Sequence, residues 1–241
     1  MNYLLIFLDY FLIFFIYSTL GWIAETIYTS IKEKKFVNRG FLIGPYCPIY
    51  GCGSVLMILY LTQYKDNFIT VFLLSMLICC FLEYLTSYLM EKIFKARWWD
   101  YSDMKYNLNG RICGENALLF GIGGLVIIYI VNPIITKIIN LFNPTITIIL
   151  SIIFFTIFIA DTILSFNIIN KLKKNINVIN TTNDSTQELK SLVSAIISNN
   201  IETHKNKLNI FQRRIIKAFP NINLNDLINN NKKSIRNFLK K

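Results

Sequence analysis

The chain has 241 residues, of which 54% are apolar, a mean hydropathy of +0.45 and a formal charge of +11. Soluble domains hold about 45–50% apolar residues, so the composition argues against an ordinary soluble enzyme. Residues 167–241 carry 14 Lys/Arg and 4 Asp/Glu while residues 1–166 carry 11 and 10, which divides the chain into a near-neutral apolar part and a basic tail.

The first apolar stretch, about residues 4–31, is long enough to cross ~30 Å of hydrocarbon at ~1.5 Å per residue. No basic residue precedes Leu4 and positive charge follows the run, so a retained anchor with a translocated N-terminus is expected rather than a cleaved signal. Glu25 lies near its far end. The loop that follows, Asn38-Arg39-Gly40-Phe41 through Gly44-Pro45 to Pro48-Ile49-Tyr50-Gly51, is dense in glycine and proline and specifies a fixed, turn-rich path. Pro48 suits the first turn of the second stretch, residues 48–63, where its missing N–H does no harm. This stretch is the shortest of five. A start near Gly44 and a re-entrant Gly44-Pro45 segment are both open.

Only Tyr64–Asn67 separates the second stretch from the third, residues 68–90, so the two should form a tight antiparallel pair. In the third, Glu83, Ser87 and Glu91 repeat at i, i+4 and i+8 along one helical stripe. The second long loop holds Trp98-Trp99-Asp100-Tyr101 and Asn109-Gly110-Arg111. Its aromatic residues read most simply as an interfacial belt. Asp100 and Asp103 exceed what a belt needs and suggest a folded re-entrant or partner-binding loop. The fourth stretch, residues 112–131, has Glu115 in its first turn, and Gly121, Gly123 and Gly124 would permit close helix contact. The fifth, residues 146–166, holds Asp161 near its end.

In the tail, Ser185 and Glu188 fit a capping box before an apolar periodicity from Leu189 to Ile197. Phe211, Ile215, Ile216 and Phe219, beside Arg213, Arg214 and Lys217, form a second short apolar face ended by Pro220. A basic amphipathic helix of this kind is expected on anionic lipid, with a cytosolic partner as the second choice. No nucleic-acid recognition motif accompanies the charge.

Counted loop by loop, 23 of the 25 basic residues fall on one side of a five-span arrangement. The positive-inside rule then places the N-terminus outside and both long loops and the tail in the cytoplasm of a multi-pass cell-membrane protein. The expected fold is an all-α five-span bundle over residues 1–166 with a helical basic tail over residues 167–241. Glu25, Glu83, Glu91, Glu115 and Asp161 all belong to the cytoplasmic half. A carboxylate in lipid costs at least ~2.5 kcal/mol and faces a partner or a wet cavity, and Arg39 and Arg111 are the natural partners. Two readings stand together. In one, ion pairs tie the loops to the helix ends. In the other, Glu25, Arg39, Glu83, Glu91, Asp100 and Arg111 line a cytoplasm-facing vestibule for a cation, a polar headgroup or protons.

The five cysteines (Cys47, Cys52, Cys79, Cys80, Cys113) form no CxxC pair and His204 is the single histidine, so no metal site, disulfide framework or cofactor is expected. Walker A, Gly-x-Ser-x-Gly and His-Glu-x-x-His patterns are missing, so no catalytic residue is assigned and the chain is not expected to hydrolyse ATP itself.

Gly21-Trp22-x-x-Glu25, the Asn38 to Gly51 loop, Glu83 to Glu91, Trp99-Asp100-Tyr101-Ser102 and Asn109-Gly110-Arg111-Ile112-Cys113 together resemble the bacterial membrane family labelled putative ABC-transporter type IV, or CmpB-like permeases. The resemblance covers roughly residues 5–166; Asp161 and Arg213-Arg214 to Pro220 are similar, less specifically. It implies a permease partnered by a separate ATP-binding subunit. Self-association into a homo-oligomer stays open. The alternatives are a membrane-embedded enzyme or headgroup-handling protein, with carboxylates as acid or base and Arg39 or Arg111 holding a phosphate, and a scaffold that recruits partners through its tail.

Overall fold

The computed structural model describes residues 3–94 and 98–180, with backbone alone for 171–180, together with Phe211 and Arg214. The tail's capping box and most of its two apolar faces lie outside the described residues. Among the described residues the fold is carried by α1 Tyr3–Glu33, α2 Pro48–Leu61, α3 Phe68–Phe94, α4 Gly114–Val126, α5 Asn132–Ile139 and α6 Pro144–Asn180. Among the described residues there is no strand beyond an isolated bridge between Leu108 and Ile112.

Four helical segments are long and apolar enough to cross a membrane: α1, α3, the α4–α5 unit (Gly114–Ile139) and Pro144–Asn170 of α6. The fourth is longer than the sequence suggests. Helix α4 passes through a π turn, Ile127–Val131, into α5, and the Asn132 N–H reaches back to the Ile127 carbonyl. The widened turn carries the chain past Pro133, which has no N–H to give. Helix α2 is different. Its 14 residues span about 21 Å at ~1.5 Å per residue, short of the hydrocarbon thickness.

Neighbouring side chains fix the helix directions. Ser151 Oγ donates to the Leu8 carbonyl at 3.0 Å, Phe11 packs edge-on against Phe155, and Phe14 against Phe158. Helices α1 and α6 therefore run the same way along an aromatic seam. Gly53 of α2 lies beside Cys79 and Leu82 of α3 while Leu61 clusters with Val71, so these two are antiparallel. Gly124 lies against Ser75, and Tyr129 stacks on Phe68, so α4 also opposes α3. Of the three glycines expected to allow close contact in this span, Gly121 meets Phe72 and Gly124 meets Ser75, whereas Gly123 faces open space. Many large apolar side chains point outward from α1, α3 and α6, as helices facing hydrocarbon require.

The first long loop sets the start of α2. After α1 ends at Glu33 the chain turns back, and the Cys47 N–H donates to the Ser18 carbonyl at 2.8 Å. Ser18 is in the middle of α1, so the loop descends alongside about 22 Å of helix at ~1.5 Å per residue. Helix α2 thus begins halfway along its neighbours, with Pro48 in its first turn and Cys47 as an extended N-cap residue. Gly51 makes the approach close enough: a Cβ there would overlap Ser18 Oγ and the Phe14 carbonyl.

Candidate functional site

The two long loops meet at one end of the bundle. Phe41 of the first packs against Phe94 at 5.4 Å and against Trp98 at 5.5 Å, and Trp98 is 5% exposed. The belt reading of the second loop is corrected here. Trp98 fills a cluster with Phe94 and Ile169, Trp99 Nε1 donates to the Arg111 carbonyl at 3.1 Å, and the Tyr101 hydroxyl donates to Glu83 Oε1 at 3.1 Å. These rings turn inward because each has an apolar or polar partner there, which a headgroup layer would offer only to their tips.

The carboxylates fall into separate groups. Glu25 of α1 accepts the Tyr50 hydroxyl at 2.5 Å and pairs with Arg39 Nε at 3.6 Å; both partners are about one-third exposed. Trp22 Nε1 beside it donates to Asn38 Oδ1 at 3.0 Å, which holds the loop's Asn38-Arg39 segment on α1. Glu91 of α3 pairs with Arg111 at 2.9 Å, and the other Arg111 nitrogen donates to Ser87 Oγ at 3.1 Å. The guanidinium lies 5.6 Å from the ring centres of both Tyr84 and Tyr88, and Arg111 is 8% exposed. Asn109 fastens the same loop by donating to the Tyr84 hydroxyl at 2.9 Å. Asn109 and Gly110 both take positive φ, 54° and 65°; this tight reversal suits Asn-Gly and sends Arg111 into the bundle.

Asp161 serves the first loop. It accepts the Ile43 N–H at 3.1 Å and Ser165 Oγ at 2.9 Å on one oxygen, and the Gly44 N–H at 2.7 Å and the Tyr46 hydroxyl at 2.5 Å on the other. The Arg214 guanidinium donates to the Gly40 and Leu42 carbonyls of the same loop. Acid and base thus grip alternate polar groups of one strip of backbone. Arg214 was expected in a lipid-facing helix; in the structure its guanidinium meets loop carbonyls.

Glu83 is a buried acid with no arginine in ion-pairing distance among the described residues. It is 8% exposed, Oε1 takes the Tyr101 hydroxyl, and Oε2 has no hydrogen bond. Tyr50, Glu25 and Asn116 are its polar neighbours. Burial first, and the Glu83 charge second, raise the Tyr101 phenol above its ordinary range. Glu115 is exposed at the start of α4. Asp100 is exposed and caps its own turn, accepting the Ser102 N–H at 3.0 Å. Pro45 is exposed at the loop bend. The geometry therefore joins Glu25, Arg39, Tyr50, Glu83 and Tyr101 in one neighbourhood, sets Glu91 and Arg111 in a second and Asp161 in a third. Sequence reasoning did not single out Tyr46, Ser165 or Asn116. Ser165 sits four residues after Asp161 in an apolar helix, a polar i, i+4 pair that signals a shared partner.

Several long apolar helices, packed through glycine and aromatic contacts with buried charge at one end, define a helical multi-pass membrane protein. Residues 12–166 match the family described as putative ABC-transporter type IV, and the chain belongs to that family. No match was found among curated proteins or among solved structures.

Proposed function

We propose that this chain is the permease-like membrane component of an ABC-type transporter, with a polar vestibule open to the cytoplasm and a separate ATP-binding subunit as its engine. The observation that carries this reading is the half-length α2 with the loop before it, which brings Arg39 and Tyr50 to Glu25 and to the neighbourhood of Glu83. Irregular backbone at membrane depth is tolerated where it is buried in protein or lines a cavity, and transporters place such broken segments at their substrate sites. The loop and α2 together complete one of five crossings of a bundle formed by residues 1–166. The N-terminus lies outside the cell membrane; the two long loops and the tail of residues 167–241 lie in the cytoplasm, where the tail's remaining basic residues favour anionic lipid. The headgroup-handling reading loses ground, because Arg39 and Arg111 are each already held by a carboxylate.

The test is purification of the tagged full chain from its native membranes in mild detergent. A vanadate-sensitive ATPase should co-elute in fixed ratio; intact chain recovered without any ATPase would refute the transporter reading. Orientation is read separately, in a background lacking the native cysteines. A membrane-impermeant thiol reagent applied to whole cells should label Lys65→Cys and spare Lys35→Cys.

A further inference from the structure

Glu83 poses a problem of charge. Its Oε2 is buried with no hydrogen bond, and no Lys or Arg among the described residues comes within ion-pairing distance. Both nearby arginines are engaged, Arg39 with Glu25, and Arg111 with Glu91 and Ser87. Glu25 lies close enough to repel Glu83. An ionised carboxylate is not sustained in such surroundings without a counter-charge. A neutral carboxyl group would also need a partner for its O–H, and Oε2 makes no hydrogen bond. In either state Oε2 is one partner short.

The neighbourhood states what that partner must be. Glu25, Arg39 and Glu83 sum to a single negative charge, which matches one positive charge. The oxygens beside Glu83 are the Tyr101 and Tyr50 hydroxyls. Oxygen ligands suit hard cations, and with Glu25 already paired to Arg39 the net charge is too small for a divalent ion. We propose that Glu83 is the anionic ligand of a monovalent alkali-cation site between the middle of α3, the first turn of α2 and the Tyr101 loop. This deepens the vestibule reading and is independent of the ATP-binding partner.

The experiment is thermal unfolding of the purified full chain in sodium, potassium or choline chloride at equal ionic strength, with binding of radioactive sodium as a second readout. Sodium or potassium should raise Tm above the choline value in a saturable way, and Glu83→Gln should abolish the difference. Glu83→Asp, which keeps the charge and shortens the reach, should shift the midpoint at least several-fold to higher cation concentration. Equal Tm values in all three salts overturn the proposal, as does a full sodium response in Glu83→Gln. Stabilisation by lower pH alone, with no alkali-cation effect, also overturns it and assigns the site to a proton. If Glu83→Gln does not fold, the Glu83→Asp titration decides, and an unshifted midpoint refutes the site. A sodium response without a co-purifying ATPase would keep the site and remove the transporter partner; the opposite result would do the reverse.

Discussion

Replacing Asp161 with asparagine changes one oxygen into a donor and tests whether this carboxylate holds the first long loop. The acid accepts four hydrogen bonds, two from the backbone at Ile43 and Gly44 and two from the hydroxyls of Tyr46 and Ser165. In the variant the amide nitrogen fits best at Oδ1, where the Ser165 hydroxyl can rotate to accept from it; the Ile43 N–H then faces a donor and keeps only its 3.2 Å bond to Ser165 Oγ. A buried unsatisfied donor costs ~1–3 kcal/mol, and the surviving bonds lose the strengthening that an ionised acceptor supplies. The expected loss is about 2 kcal/mol, roughly 30-fold in the folding equilibrium. Unfolding of the purified protein by increasing detergent denaturant measures the total. Hydrogen exchange at the Ile43 and Gly44 amides localises it, since those two should lose protection before the α1–α6 seam does. Unchanged unfolding free energy together with unchanged protection at both amides would refute the reasoning.

Gly51→Ala should destabilise by ~1–3 kcal/mol, because the clash is partly with the Phe14 carbonyl, which cannot rotate away. Gly123→Ala, which meets nothing within 4 Å, should be neutral or stabilise by up to ~1 kcal/mol; equal effects in the same unfolding assay would count against the α1–α2 packing. Arg111→Met should cost ~3 kcal/mol or more by leaving Glu91 and Ser87 without their cation. The double variant with Glu91→Gln should recover part of that loss, and purely additive effects would show that the pair contributes nothing. Tyr101 has its phenol raised by burial and by Glu83, so its contribution to stability is complete below the ordinary tyrosine range near ~10 and is lost as pH rises above it. Tyr101→Phe should therefore flatten the alkaline fall in Tm relative to the wild type, and superimposable profiles would contradict this.

The helices were legible because apolar length is a strong signal. The stretches read at 68–90 and 48–63 begin at the residues where α3 and α2 begin. The odd character of α2 was legible too, since glycine and proline crowd the segment that turns back into the bundle. The aromatic loop was misread: a Trp-Trp-x-Tyr run at a membrane edge looks the same whether its rings face headgroups or, like Trp98, fill a core. The role of Asp161 was hidden for a different reason. Two of its partners are backbone N–H groups, and every residue but proline has one, so no pattern of side chains marks them. The same holds for Arg214, whose partners are carbonyls. Glu83 could be flagged as costly, but that both arginines would be taken by other acids emerges only from three-dimensional placement.

The contact between Tyr46 and Asp161 joins positions 115 residues apart, and this bears on the order in which the protein is made. The loop of residues 40–46 leaves the ribosome long before its carboxylate does. Until α6 is inserted beside α1, the amides of Ile43 and Gly44 have no acid to meet and the aromatic seam has only one side. Helix α6 thus supplies the acid that holds the first long loop, so a product interrupted at the Asn143 turn would carry α1 to α5 and a loop without that acid. Such nascent chains should be the forms that quality-control proteases recognise.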